Sequence, residues 1–166
     1  MFQLKPITKA SISRALEKAE RYRLLNEPRQ AESICLDVLA IEPDNQQALS
    51  CQLLALTDQF GLPGNGLLKQ ARGLLPHLHA PYERAYYAGI ISERYARYHL
   101  SADHHGAREA AYEYLIDAIR HYGEAERLAA PGNDDAILRH NTCVRTLTSH
   151  ELEAPSRVRE QELPLE

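Results

Sequence analysis

The sequence predicts an all-α protein, and two observations carry this prediction. Apolar residues recur at a spacing of three and four along most of the chain, and no stretch alternates as a β-strand would. Clusters of proline, glycine and asparagine divide this pattern into helical segments. We predict seven of them, at 10–26, 28–41, 45–60, 65–79, 82–100, 106–129 and 134–149.

The connections between these segments are short, which favours antiparallel helix hairpins within one domain. We therefore expect a helical domain over residues 10–149. Residues 150–166 carry five acidic residues and two prolines with little apolar content. We expect them to form an acidic, mostly disordered tail, and a short docking helix is the alternative.

Composition excludes several classes of function. The formal charge of −4 and the lack of any lysine or arginine run argue against a nucleic-acid partner. No uncharged apolar stretch approaches the roughly 18–20 residues of a membrane span, and the start of the sequence has no apolar leader. The three cysteines, Cys35, Cys51 and Cys143, are an odd number and widely spaced. We expect reduced thiols in a cytoplasmic protein without a membrane partner.

The first predicted hairpin carries a recognisable spacing. In a unit of about 34 residues that begins at Ile12, Tyr22, Ala31 and Pro43 occupy positions 11, 20 and 32. This pattern resembles the tetratricopeptide repeat (TPR), in which a small residue lets the two helices approach and a proline ends the second. Ala15 departs from the pattern, since the family prefers tryptophan there.

Two looser units follow. One begins at Gln46, and its second helix is displaced by a glycine-rich insertion and shortened by Pro76. The other begins at Tyr82 and has the small pair Ala88-Gly89, but its second helix is long and Gly123 is expected to interrupt it. The resemblance implies hairpins stacked as a right-handed superhelix, with helix 134–149 as a C-terminal capping helix.

The resemblance also implies a function. In the family, the inner side of each first helix lines a concave groove that binds peptides. Nine residues here occupy the matching positions, and Arg97 follows them on the same face of its helix. Together these residues are Leu16, Glu20, Arg23, Ser50, Leu54, Thr57, Tyr86, Ile90, Glu93 and Arg97. We expect a non-enzymatic scaffold or adaptor for a protein or peptide segment, without a cofactor, and a homodimer is possible. The alternative for Tyr86 and Ile90 is packing against the helix of the next unit.

Two other functions remain open. A small secretion-type chaperone is one, because those proteins are also acidic, three-repeat proteins of similar length. A metal-dependent enzyme is the other, with ligands drawn from Asp103, His104 and His105 and from the pair His77 and His79. These residues lack the helical i,i+4 spacing of zinc motifs, and no cysteine pair accompanies them. The structural alternative is a polar loop that caps the following helix.

The last predicted helix is dense in reactive side chains, but most of them fit a helix start. Asn133 is a suitable N-cap, and the acidic first turn favours the helix dipole. On a helical wheel, His140 lies among the apolar residues Ala136, Ile137, Cys143, Val144 and Leu147, while Asp135, Arg139, Thr142 and Thr146 lie opposite. We predict a buried Cys143; a nucleophile–base pair with His140 is the alternative.

Overall fold

Seven α-helices make up the described part of the chain, and none of its residues forms a β-strand. The computed structural model describes residues 2–62, 66–102 and 105–154. The helices are α1 Ile12–Leu24, α2 Pro28–Ile41, α3 Gln46–Asp58, α4 Leu67–Leu74, α5 Pro81–Ser101, α6 Ala107–Leu128 and α7 Asp135–Ser149. The predicted all-α class is confirmed, and each helix overlaps one predicted segment, although α4 is shorter than the predicted 65–79.

Local signals explain where the helices begin and end. Pro28 and Pro81 occupy the first positions of α2 and α5, where a missing N–H costs nothing. The Asn45 side chain accepts a hydrogen bond from the Ala48 N–H at 2.9 Å and so caps α3. After α4 the chain tightens into a 3-10 turn at Leu75–His77, which contains Pro76.

The expected interruption at Gly123 is wrong, because α6 runs without a break from Ala107 to Leu128. A glycine inside a helix costs about 1 kcal/mol relative to alanine. On either side of it, Tyr122 and Ala125 are completely buried. Packing of an amphipathic face outweighs such a propensity cost, so the helix continues.

Each helix packs against the next one along the chain, and α1, α3 and α5 also lie side by side. Small side chains permit the close approach of the first three helices. Their shared core contains Ala19, Ala31, Cys35, Cys51 and Ala55. This arrangement brings the C-terminal ends of α1 and α3 next to the second half of α5.

The longest pair, α5 and α6, closes around one aromatic ring. A Cβ atom at Gly89 would lie 2.5 Å from Cε1 of Tyr122, so glycine leaves the space that the ring fills. The Tyr122 hydroxyl donates a hydrogen bond of 2.6 Å to the Glu93 carboxylate. The α5–α6 interface therefore buries a polar pair as well as an aromatic ring.

Helix α7 is rotated relative to the predicted wheel. Ala136 and Cys143 are buried as expected, but Ile137 and Val144 are exposed. Arg139, which we predicted to face outward, instead donates a hydrogen bond of 3.2 Å to Glu93. The outward assignment is wrong because a buried carboxylate on α5 requires a cation, and α7 supplies it.

The first residues after α7 are held against the helical domain. Arg108, at the start of α6, donates hydrogen bonds to the His150 and Glu151 carbonyls at 2.7 and 3.1 Å. Leu152 packs against the core of α5, α6 and α7. The prediction for residues 155–166 lies outside the described residues. Within the described ranges, no helix has the length and apolar character that crossing a bilayer requires.

Candidate functional site: the arginine cleft

A cleft of about 430 Å³ opens between the C-terminal ends of α1 and α3 and the second half of α5. Its walls combine guanidinium groups, one carboxylate, hydroxyl groups and apolar side chains. The lining residues are Arg23, Leu24, Asn26, Thr57, Asp58, Phe60, Arg94, Arg97, Tyr98 and Ser101. We call this site the arginine cleft.

Asp58 fixes the floor of the cleft by joining three helices. Its carboxylate accepts a hydrogen bond of 2.7 Å from Nε of Arg23 on α1 and another from Arg94 on α5. Arg94 also donates to the Thr57 hydroxyl at 2.7 Å and to the Leu54 carbonyl at 3.2 Å. These bonds hold the Arg23 and Arg94 guanidinium groups in fixed positions at the cleft.

The arginine cleft carries an excess of positive charge. Among the described residues that line it, three are arginines and one, Asp58, is a carboxylate. Burial lowers the pKa of Arg94, and the nearby charges of Arg23, Arg139 and Arg97 lower it further, against the opposing effect of Asp58. An anion in the cleft would relieve this repulsion. The excess is local, because the whole chain has a formal charge of −4.

Arg97 is the most accessible of the three cleft arginines, with a side chain that is 66% exposed. Its Nη2 donates to Oε1 of Glu93 at 3.1 Å. The Glu93 side chain is only 4% exposed, and it is also bonded to Tyr122 and Arg139. A guanidinium has five N–H donors, so the bond to Glu93 orients Arg97 and leaves other donors for a ligand.

Apolar groups border the charged part of the cleft. Leu24 is 88% exposed at its rim. Tyr98 and Phe60 contribute aromatic walls, and Phe60 is held edge-on against Tyr95 at 5.2 Å between ring centroids. The arginine cleft can therefore contact a charged group and an adjacent apolar group at once.

A second depression, of about 370 Å³, adjoins the arginine cleft and shares Arg97 and Ser101 with it. We call it the α7 depression, because Thr146 and His150 of the last helix and its C-cap form one side. Its lining residues are Glu93, Arg97, Leu100, Ser101, Leu115, Thr146 and His150. The two depressions together lead from α1 and α3, across α5, to the end of α7.

Three of the ten residues predicted to line a binding groove lie in the arginine cleft. They are Arg23, Thr57 and Arg97. Glu93 lies beneath Arg97 and lines the α7 depression.

The other six residues from that prediction are divided between the core and the surface. Leu16 and Ile90 are buried, and Tyr86 and Leu54 pack against the core of the last three helices. Glu20 is exposed and accepts a hydrogen bond from Gln47 at 3.1 Å, and Ser50 is half-buried. For Ile90 and Tyr86 the structure favours packing, the alternative that the sequence left open. Ile90 is only 2% exposed, and the Tyr86 ring lies 5.9 Å from the ring of Tyr122 on α6.

Sequence reasoning missed Asp58 and Arg94, which organise the cleft. On α5 the cleft residues are Arg94, Arg97, Tyr98 and Ser101. At 100° per residue, the centre of this set lies roughly 60° around the helix from the centre of the predicted stripe. That stripe consists of Tyr86, Ile90, Glu93 and Arg97, so the two sets share only Arg97. The polar residues at 94, 97 and 101 recur at helical spacing, and this pattern in the sequence could have indicated a polar face on α5.

The histidines do not assemble a metal site in the described part of the chain. His79 Nε2 lies 2.9 Å from Oδ1 of Asp44 in an exposed pair. Asp103 and His104 lie outside the described residues. Within the described ranges, no group of three or more histidine, cysteine, aspartate or glutamate side chains could hold a metal ion.

Cys143 is a poor nucleophile in this setting. Its side chain is completely buried. Burial raises the pKa of the Cys143 thiol to about 12, with a contribution from the Glu93 charge. A thiol must ionise to attack, so the proposed pair with His140 has no chemical support here.

Comparison with known proteins adds no assignment. No family model, curated protein or solved structure matches this chain significantly. The resemblance to TPR proteins therefore rests on the residues of the first hairpin. The fold and the arginine cleft define the class to which the molecule can be assigned, an all-α protein with a cationic surface cleft.

Proposed function

We propose that this protein is a non-enzymatic scaffold that holds an acidic peptide segment of another protein in the arginine cleft. The observation that carries the proposal is the grouping of three guanidinium groups where α1, α3 and α5 meet. Arg23 and Arg94 are paired with Asp58, and Arg97 is paired with the buried Glu93. Arginine presents a planar set of donors that matches a carboxylate, often through two parallel hydrogen bonds.

The contacts within the cleft suggest how such a segment binds. A carboxylate of the partner is placed against Arg97 and Arg23, while Asp58 keeps Arg23 and Arg94 in position. An apolar neighbour in the partner packs on Leu24 and the Tyr98 ring. Binding is reversible and non-covalent. The charged groups fix the register of the bound segment, and the apolar contacts exclude water.

We also propose that the hairpins stack as a TPR-like right-handed superhelix with α7 as its capping helix. The side-by-side contacts of α1, α3 and α5 support this arrangement. The contact of Arg139 with Glu93 supports the capping role, because it places α7 over the inner side of α5. Helix α7 then covers α5 around Glu93, while the C-terminal half of α5 stays open and lines the arginine cleft.

Site-specific photo-crosslinking in the native cell tests the function. A photoreactive residue replaces Leu24, which is 88% exposed at the cleft, or Leu36, which is 50% exposed on α2. We expect a discrete crosslinked partner from position 24, weakened by Arg97→Gln, and none from position 36. Equal products from both positions, or products indifferent to Arg97→Gln, would contradict the proposal.

A further inference from the structure

We propose that residues 160–166 of this chain occupy its own arginine cleft and compete there with the partner. This inference rests on the proposed function, since it concerns regulation of the same site. The occupant is an intramolecular acidic segment, so the protein is held in a self-occupied state that a partner has to displace.

Charge complementarity is the first argument. Residues 160–166 read EQELPLE and contain three glutamates and two leucines without a basic residue. The arginine cleft offers three guanidinium groups, which are paired with Asp58 and the buried Glu93, and the exposed Leu24 and the Tyr98 ring lie beside them. The segment therefore combines the charged and apolar groups that the cleft accommodates.

The point at which the chain leaves the helical domain is the second argument. The bonds from Arg108 fix the carbonyls of His150 and Glu151, and Leu152 is packed against the core. His150 forms one side of the α7 depression, and Arg97 and Ser101 form another. The chain thus leaves the helical domain beside the α7 depression, which shares Arg97 and Ser101 with the arginine cleft.

Chain length is the third argument. The five residues 155–159 span up to about 17 Å when extended, so residue 160 can reach about that far from the point where the chain leaves the domain. A ligand tethered by a short linker experiences an effective concentration in the millimolar range. Even a weak acidic ligand in this position competes with a partner at ordinary cellular concentrations.

The test uses the full chain and a synthetic peptide of residues 155–166 as the probe, with binding followed by fluorescence anisotropy. In the test variant, Glu160, Glu162 and Glu166 are changed to glutamine in the full chain. The matched control changes three exposed glutamates on α6 to glutamine, which alters the net charge equally. They are Glu109, Glu113 and Glu126.

We expect the tail-neutralised chain to bind the peptide at least tenfold more tightly than the wild-type and control chains. Adding Arg97→Gln to the tail-neutralised chain should abolish that gain. Equal binding to the wild-type and tail-neutralised chains would overturn the inference and leave the cleft as a site for acidic segments. Absence of binding to both, or binding indifferent to Arg97→Gln, would overturn it as well. The crosslinking from position 24 tests the proposed function independently.

Discussion

Glu93 is a buried carboxylate whose partners come from three different helices. Arg97 lies on the same helix, Tyr122 on α6 and Arg139 on α7. A buried charge is stabilised only when it is paired and hydrogen-bonded, so these three donors fix the relative positions of their helices. The Tyr122 ring fits against α5 because Gly89 has no side chain there.

Gly89→Ala should therefore destabilise the protein by about 1–3 kcal/mol, because the new methyl group displaces the Tyr122 ring from a packed core. Chemical denaturation measures the loss. The control is Gly123→Ala on α6, where a Cβ meets no atom of the described residues within 4 Å. Its greater helix propensity should stabilise the protein by about 0.5–1 kcal/mol. An unchanged free energy of unfolding in Gly89→Ala would show that the interface accommodates the methyl group.

The thiol of Cys143 should contribute to alkaline sensitivity. Burial raises its pKa from the ordinary value of 9.0 to about 12 in the folded protein. Above pH 9 the unfolded state loses this proton while the folded state keeps it, so unfolding becomes more favourable as the pH rises toward 12. The decrease in unfolding free energy between pH 9 and pH 11 should be smaller in Cys143→Ala than in the wild type. Identical slopes would place the thiol in a more polar setting.

At the scale of elements, helix α7 packs on α5 with a different face from the one that the sequence predicted. The apolar pattern of α7 predicts that Ile137 and Val144 face the core, yet both side chains are exposed. The wheel could not reveal the rotation, because its cause is Glu93, a residue distant in sequence. By contrast, helix ends were predictable, since Pro28, Asn45 and Pro81 act within their own turns.

Arg139→Glu tests this orientation of α7. The substitution places a carboxylate beside the buried Glu93, and it should lower the unfolding free energy by roughly 2–3 kcal/mol. Arg145→Glu is the control, because Arg145 is exposed on the same helix and makes the same charge change. Thermal unfolding compares the two variants. Equal midpoints would mean that Arg139 faces solvent, as the helical wheel suggests.

At the scale of the whole molecule, the chain should show well over half helix and no appreciable sheet by circular dichroism. The sequence suffices for this expectation, because apolar periodicity and the breakers are local properties. It does not suffice for the cleft. The cleft forms only when Arg23, Asp58 and Arg94 come together from three helices, and neither the spacing within α1 nor that within α3 reports such a contact.

The central claim is that the arginine cleft binds an acidic segment, and isothermal titration with the segment identified by crosslinking tests it most directly. Arg97→Gln removes an exposed cation without placing a negative charge beside Glu93, and Arg145→Gln is the matched control on α7. Both substitutions are made in the chain with Glu160, Glu162 and Glu166 changed to glutamine, so that competition by the chain's own tail does not mask the loss. We predict at least tenfold weaker binding for Arg97→Gln, about 1.4 kcal/mol, and an unchanged affinity for Arg145→Gln. Full affinity in Arg97→Gln with a loss in Arg145→Gln would contradict the account and place the binding surface on α7.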